Sequence, residues 1–179
     1  MDGLAAHGLS EEEAAAKAER FDRCARALQR AGVVPDAAAR ALFVPGRIEV
    51  LGKHTDYAGG SSLVAAPERG LCLVAVGRDD ATVRAVAMDL DDACKFAFSG
   101  DLAPTVGHWS NYPMTVARRL ARNFPARLCG ADVAFAGDLP VAAGMSSSSA
   151  VMVAFFLALA AINRLDERAA AEAEKLLEL

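Results

Sequence analysis

The sequence predicts a single α+β domain with a mostly antiparallel sheet and packed helices. Between residues 41 and 98, short β-branched runs are separated by turn residues, which is typical of antiparallel strands. On either side of that region, apolar residues recur at helical spacing, and helices and strands do not alternate as in a doubly wound parallel sheet. A length of 179 residues suits one domain with a sizeable core.

The first helix is predicted to begin after Ser10. Ser10 and Glu13 have the spacing of a capping box, and an apolar stripe continues through Leu28 as far as Gly32, a conventional helix stop. Six strands follow, which we place at residues 41–44, 48–51, 63–66, 71–76, 83–88 and 95–98.

The second half of the chain is predicted to hold three helices and one strand. Helical spacing returns at residues 109–123, residues 131–136 alternate like a strand, and residues 147–163 form a long apolar helix. A further helix starts near Asp166. Because the sequence is still strongly helical at Leu179, with no glycine, proline or cap, we expect the chain to stop inside an element.

Charge and hydropathy exclude several classes of protein. The net charge of −4 and the pI of about 5.4 argue against nucleic-acid or anionic-membrane binding. The longest apolar run, residues 150–162, is shorter than the roughly 20 residues that span a bilayer, and no leader opens the chain. The four cysteines form no C-x-x-C pair, so we expect reduced thiols and a cytoplasmic protein.

A serine-rich segment is the first candidate site. Residues 137–157 read GDLPVAAGMSSSSAVMVAFFL, so that a strand ends, small residues make a turn, and an apolar helix begins among four serines. Backbone N–H groups and the positive dipole end at a helix N-terminus attract phosphate, and the hydroxyls add donors. The segment is not a P-loop, since no lysine lies near it. The alternative is a helix with an ordinary serine cap.

The second candidate site is the turn at residues 45–60, which reads PGRIEVLGKHTDYAGG. It concentrates five chemically capable side chains in one loop, and a carboxylate beside an imidazole suits the vicinal hydroxyls of a polyol. A polar hairpin turn with solvated side chains is the alternative. The five residues are Arg47, Lys53, His54, Asp56 and Tyr57.

Together these segments resemble the galactokinase branch of the GHMP small-molecule kinases. The galactokinase signature GRVNLIGEHTDYNGG is matched here by GRIEVLGKHTDYAGG at residues 46–60, and the phosphate loop PLGAGLSSSA by PVAAGMSSSS at residues 140–149. Between them, WSNY at residues 109–112 is similar to the family's WANY, near which adenine packs. Three motifs in the family's order make a chance match improbable.

The resemblance implies a fold, a reaction and a set of site residues. The fold is the GHMP kinase N-terminal domain, which is similar to ribosomal protein S5 domain 2. The reaction is phosphoryl transfer from ATP, with Mg²⁺, to the anomeric hydroxyl of a hexose. Arg47 is the implied catalytic residue; Lys53, His54 and Asp56 bind the sugar; Trp109, Tyr112, Gly144, Met145, Ser146, Ser147 and Ser148 bind ATP; and Ser148 is also the implied magnesium ligand.

Simpler roles remain open for some of these residues. Trp109 and Tyr112 could be plain core aromatics, and Arg47 could belong to a structural ion pair. For the whole protein, the alternatives are a kinase for a uronic acid or another sugar derivative, a non-catalytic sugar and ATP sensor, and an RNA-binding module with the same fold.

Three departures from the family bear on these expectations. Lys53 stands where galactokinases have glutamate, which leaves the sugar undefined, and Ala142 replaces a loop glycine. The family's catalytic aspartate, its magnesium-binding glutamate and its third glycine-rich motif are not recognisable before Leu179. We therefore expect residues 1–179 to be the truncated N-terminal domain of a longer kinase, inactive alone and completed by a C-terminal domain of the same gene.

Overall fold

Apart from a short helix at Asp2–Ala6, which the sequence pattern did not predict, the elements of the fold follow the predicted order. The computed structural model describes residues 2–36, 38–52, 55–124, 127–140 and 144–169. The helices are α1 Asp2–Ala6, α2 Glu11–Arg30, α3 Asn111–Asn123 and α4 Ser147–Asn163. The strands are β1 Arg40–Pro45, β2 Ile48–Leu51, β3 Leu63–Ala65, β4 Gly70–Gly77, β5 Thr82–Ala87, β6 Asp92–Ala97 and β7 Ala131–Gly137. None of the described helices is long and apolar enough to cross a membrane.

The main sheet has five strands in the order β1-β4-β7-β5-β6. Three of its four pairings are antiparallel, and β5 with β7 is the parallel one. β2 and β3 form a separate antiparallel ribbon. The predicted α+β class with a mostly antiparallel sheet is confirmed.

The two central strands, β4 and β7, are apolar at nearly every position because both of their faces are covered. Side chains alternate along a strand, so one set of residues, including Leu73 and Val133, packs against α3 and α4. The other set, including Val74 and Ala134, packs against Cys24 of α2. The sheet is therefore a middle layer, with α2 on one face and α3 and α4 on the other.

The start of α2 is fixed as the sequence predicts, with one difference. The Ser10 hydroxyl accepts a hydrogen bond from the Glu13 backbone N–H at 3.4 Å, which is one half of a capping box. In the other half, glutamate would bind the Ser10 backbone N–H, but that N–H donates to Glu68 instead, at 2.5 Å. The Glu13 carboxylate is free to bind Lys17, one turn further along.

Candidate functional site

The two candidate segments contact each other in the fold. The backbone N–H of Arg47, just after β1, donates to the carbonyl oxygen of Met145 in the serine-rich segment at 3.1 Å. Gly46 is buried at this contact. A Cβ at position 46 would lie 2.6 Å from Leu139 Cδ2 and 2.9 Å from Met145 O, so only glycine allows the two loops to approach this closely.

Gly46→Ala is expected to separate the two loops and to lower the free energy of unfolding by about 1–3 kcal/mol, because overpacking forces a backbone shift. The Arg47 amide should then exchange its hydrogen faster. Urea denaturation and hydrogen exchange measure the two effects. Gly100→Ala is the matched control, since its Cβ would meet only the flexible Arg122 side chain at 3.3 Å. Equal stability and equal amide exchange in both variants would contradict the contact.

Thr55 organises the loop between β2 and β3. Its hydroxyl oxygen lies 2.7 Å from the Gly52 carbonyl oxygen and 3.1 Å from that of Ser61, so it joins the two sides of the loop. Gly52 has φ +85°, and a Cβ there would lie 2.5 Å from Ser61 O. The loop is thus closed by a side chain and a glycine that both lie inside the predicted sugar-binding signature.

Of the predicted sugar-binding residues, the structure describes only part. Lys53 and His54 lie outside the described residues. The backbone of Asp56 begins a short 3-10 turn, Asp56–Ala58. The Arg47 side chain is exposed, and its guanidinium lies 3.9 Å from the Glu49 carboxylate, so the structural ion pair considered above is present in a loose form.

The serine-rich segment leads into the start of α4, where the first amides have no partner within the helix. Ser146 holds the N-cap position in the left-handed region, with φ 57°, and its side chain makes no capping hydrogen bond. The first helical bond is donated by Ala150 to Ser146 O at 3.0 Å. The N–H groups of residues 147–149 precede that bond, so they have no partner within the helix and are available to an anion at the positive end of the dipole. An ordinary serine cap therefore does not account for this segment.

A buried ion cluster anchors the strand end that leads into the serine-rich segment. The Lys17 side chain is fully buried, and its Nζ lies 2.8 Å from Asp138 Oδ2 and 2.5 Å from Glu13 Oε2. Asp138 Oδ1 accepts a hydrogen bond from the Gly70 backbone N–H at 2.7 Å. Arg20 approaches the same carboxylate at 3.4 Å. Asp138 thereby joins α2 and β4 to the end of β7, just before the serine-rich segment.

Both charges of this cluster are stabilised by their partners. Burial alone would raise the pKa of the Asp138 carboxyl, but the hydrogen bonds from Lys17 and Gly70 outweigh it and hold that pKa below its usual value. Burial alone would lower the pKa of Lys17, but the hydrogen bonds to Asp138 and Glu13 raise it. Both groups are therefore ionised at neutral pH.

Trp109 and Tyr112 lie together at the start of α3. The Tyr112 backbone N–H donates to the Trp109 carbonyl at 3.1 Å, and residues three apart in a helical turn share one face. Trp109 is partly buried and packs edge-on against Phe135 of β7, with 5.4 Å between ring centroids. Tyr112 is 39% exposed. Trp109 therefore packs against the core, as the simpler alternative proposed, and still has an exposed part.

Sequence reasoning missed the residues that hold the site in place. Lys17 was detectable, because it falls on the apolar stripe of α2 beside the buried Ala14 and Cys24. Asp138 carries no comparable signal in the sequence, since its partner Lys17 is 121 residues away and meets it only in the folded chain.

Comparison with known proteins identifies the fold. Residues 111–178 match the family model described as GHMP kinases N terminal domain, and residues 32–78 match the galactokinase galactose-binding signature. The structure is similar to that of Lactococcus lactis galactokinase complexed with galactose, with TM-score 0.64 and 24% identity over 73% of this chain and 34% of that one. Methanococcus jannaschii mevalonate kinase gives TM-score 0.59 at 12% identity, over 70% of this chain and 41% of that one. This is the GHMP kinase N-terminal fold.

The sequence is also similar to galactokinases, as its motifs predicted. The galactokinase of Actinobacillus pleuropneumoniae serotype 5b (strain L20) is 34% identical over 117 residues, which is 65% of this chain and 30% of the relative. That of Roseiflexus sp. (strain RS-1) is 37% identical over 138 residues, which is 77% of this chain and 34% of the relative. The chain thus spans about a third of the length of these relatives.

Proposed function

We propose that this GHMP kinase domain supplies the sugar site and the phosphate loop of a galactokinase-like kinase. The longer kinase transfers a phosphoryl group from ATP to the anomeric hydroxyl of a hexose, and residues 1–179 form its N-terminal domain. The observation that carries the proposal is the hydrogen bond from Arg47 N–H to Met145 O, because it brings the sugar-signature segment against the serine-rich segment. Phosphoryl transfer requires the acceptor hydroxyl and the phosphate donor to lie next to each other.

The phosphate-binding half of the proposal rests on α4. The amides of residues 147–149 and the hydroxyls of Ser147 and Ser148 are the donors for the phosphate oxygens, while Gly144, Met145 and Ser146 form the turn that leads into them. These donors are neutral, so the loop contributes by binding and orienting the phosphates.

The donor set also fits magnesium held mainly by the nucleotide. In the described part of the chain, no three histidine, cysteine or acidic side chains converge as a metal site. A hydroxyl such as that of Ser148 is a hard oxygen ligand, which suits an ion that keeps several waters and binds phosphate oxygens. When bound, Mg²⁺ supplies neutralisation of charge on the phosphates.

The remaining roles are those that the resemblance to the family implies. Trp109 and Tyr112 flank the nucleotide base, since Trp109 lies in the turn just before α3 and Tyr112 in the first turn of that helix. Arg47 lies at the junction of the two loops, so its guanidinium stabilises negative charge on the transferred group. His54 and Asp56 hold sugar hydroxyls. Lys53 accompanies them, and a sugar with a carboxylate is the alternative substrate class that this cation favours.

Ser148→Ala is expected to weaken the binding of Mg-ADP to the chain by roughly tenfold or more, because a hydroxyl that binds charged oxygens is lost. Ser149→Ala is the matched control, since position 149 corresponds to alanine in the family motif. The affinity of this variant for Mg-ADP should match that of the unmodified protein. Isothermal titration of all three proteins measures the difference. Equal affinities for the two variants would remove Ser148 from the proposed site, and an unmodified chain that binds no nucleotide would refute the phosphate-loop proposal for this domain.

A further inference from the structure

The only tryptophan of the chain is held by a carboxylate. Trp109 Nε1–H donates to Asp92 Oδ2 at 2.8 Å. Asp92 is the first residue of β6, an edge strand of the sheet, and lies 17 residues before the tryptophan. The polar edge of the indole is thus fixed to the sheet, while its apolar body packs against Phe135 of the core.

The carboxylate is itself held in one orientation. Asp92 Oδ1 accepts a hydrogen bond from the Ala93 backbone N–H at 2.7 Å, and Oδ2 lies 3.0 Å from His108 Nε2. The hydrogen bonds from Trp109 and Ala93 hold the pKa of Asp92 below its usual value, so the acceptor stays charged at neutral pH.

The neighbouring histidine has a defined tautomer. The Ser110 backbone N–H donates to His108 Nδ1 at 3.2 Å, and the Ser110 hydroxyl oxygen lies 2.8 Å from the same nitrogen. Because a backbone amide can only donate, Nδ1 is the acceptor and the ring proton of neutral His108 is on Nε2, facing Asp92. The ring lies 5.7 Å from the indole, at a 30° tilt. Ser110 is the N-cap residue of α3, and its hydroxyl contacts the histidine and makes no capping bond.

The loop before α3 is also fixed. Asn111 and Thr105 exchange two hydrogen bonds, from Thr105 N–H to Asn111 Oδ1 at 2.8 Å and from Asn111 Nδ2 to Thr105 O at 2.5 Å. With the backbone fixed in this way, the remaining freedom of Trp109 is rotation about its side-chain bonds. The bond to Asp92 removes that freedom.

We propose that Asp92 is a positioning residue that fixes the indole of Trp109 in the orientation required to stack on the nucleotide base. The inference rests on the proposed function for the presence of that base, whereas the fixing of the ring stands on the contacts above. A ring held in place before binding loses less entropy when a ligand stacks on it, so Asp92 contributes to affinity without touching the ligand.

The test uses the sole tryptophan as its own probe. Asp92→Ala should shift the tryptophan emission to longer wavelength and raise its quenching by acrylamide. It should also weaken Mg-ADP binding by roughly two- to tenfold, which corresponds to the entropy cost of ordering one side chain on binding. Asp101→Ala is the matched control, because it removes a carboxylate that is 98% exposed, in the loop between β6 and α3. It should behave like the unmodified protein in all three measurements.

A second variant keeps the test decisive if Asp92→Ala does not fold. Asp92→Asn retains an oxygen acceptor but loses the charge, so the emission should stay near that of the unmodified protein. The single indole N–H resonance should move upfield, because its hydrogen bond is weaker. An unmoved resonance in Asp92→Asn would overturn the proposal.

The two proposals fail in different ways. If the unmodified chain binds Mg-ADP and folded Asp92→Ala binds it equally well, the positioning role is wrong and the nucleotide site remains. If the unmodified chain binds no nucleotide, the proposed function of this domain fails. The positioning inference, which needs a bound base, then fails with it, and a shifted emission in Asp92→Ala shows only that the carboxylate holds the ring.

Discussion

Lys17→Met is expected to lower the free energy of unfolding by about 3 kcal/mol at neutral pH. The substitution keeps the length and apolar stem of the side chain but leaves the Asp138 carboxylate, which is only 14% exposed, without its closest cation. Removal of one partner from a buried pair typically costs 3–5 kcal/mol, and the lower end applies here because Arg20 remains 3.4 Å away. Urea denaturation measures the loss.

The pH dependence of this effect has a defined sign. The pKa of Asp138 is lower in the folded chain than its ordinary 3.8, so its contribution is present above that pH and lost as the pH falls below it. The pKa of Lys17 is raised above its ordinary 10.5, so its contribution is present below that pH and lost at higher pH. The stability difference between Lys17→Met and the unmodified protein should therefore be constant near neutrality and shrink in acid and in strong base.

Two further variants separate charge from packing. Lys95→Met makes the same substitution at an exposed position of β6 and should change stability by less than about 0.5 kcal/mol. Adding Asp138→Asn to Lys17→Met removes the unpaired buried charge while keeping an acceptor for the Gly70 N–H, so most of the loss should be recovered. A double variant as unstable as Lys17→Met would show that packing of the lysine stem, not its charge, is what matters.

Gly130→Ala is expected to destabilise the domain by more than about 4 kcal/mol or to prevent folding. Gly130 precedes β7, and a Cβ there would lie 1.9 Å from Thr82 O and 2.7 Å from Thr82 N, both backbone atoms of β5. The Gly130 N–H also donates to Asp80 O at 2.6 Å, so the segment cannot move away without losing that bond. Relief of the clash requires separation of the parallel β5–β7 pair.

Gly107→Ala provides the comparison for Gly130→Ala. Gly107 has φ +71° and no atom within 4 Å of a built Cβ, so alanine there should cost about 1 kcal/mol from backbone strain alone. Circular dichroism and urea denaturation compare the two variants. A stable Gly130→Ala protein, with an unfolding free energy close to that of Gly107→Ala, would contradict the close approach of the two strands.

Elements that depend on local pattern are predicted well from this sequence. The apolar helix at residues 147–163 and the strand at 48–51 have the predicted bounds, and the other strands differ from prediction by one to three residues at their ends. α3 begins at Asn111, two residues later than predicted, because residues 105–111 form a hydrogen-bonded turn before it. Periodicity reports which residues share a face, so it detects elements but not the turns that join them.

In the candidate site, too, features set by local sequence were predicted and features set by tertiary contacts were not. Two of its three motifs are found in contact, because the loops that carry them follow β1 and β7, which flank β4 and end at the same edge of the sheet. Lys17, Asp92 and Asp138 were not predicted. The apolar stripe of α2 marks Lys17, but hydrogen bonds between residues 17 to 121 positions apart leave no periodic trace at Asp92 and Asp138. Motifs mark residues that meet a ligand, whereas residues that hold those motifs in place emerge from tertiary packing.

The strand order has a consequence for synthesis of the chain. Among the described strands, β7 comes last in the chain, yet it lies between β4 and β5. The β1–β4 pair and the β5–β6 pair therefore remain separate until β7 is made. At roughly 5–20 residues per second, a ribosome needs several seconds to proceed from the end of β5 to the end of β7. During that interval the inner edges of β4 and β5 carry unpaired N–H and C=O groups. A single seven-residue strand thus joins the two strand pairs of the nascent domain, and until it is made their open edges can pair with other chains.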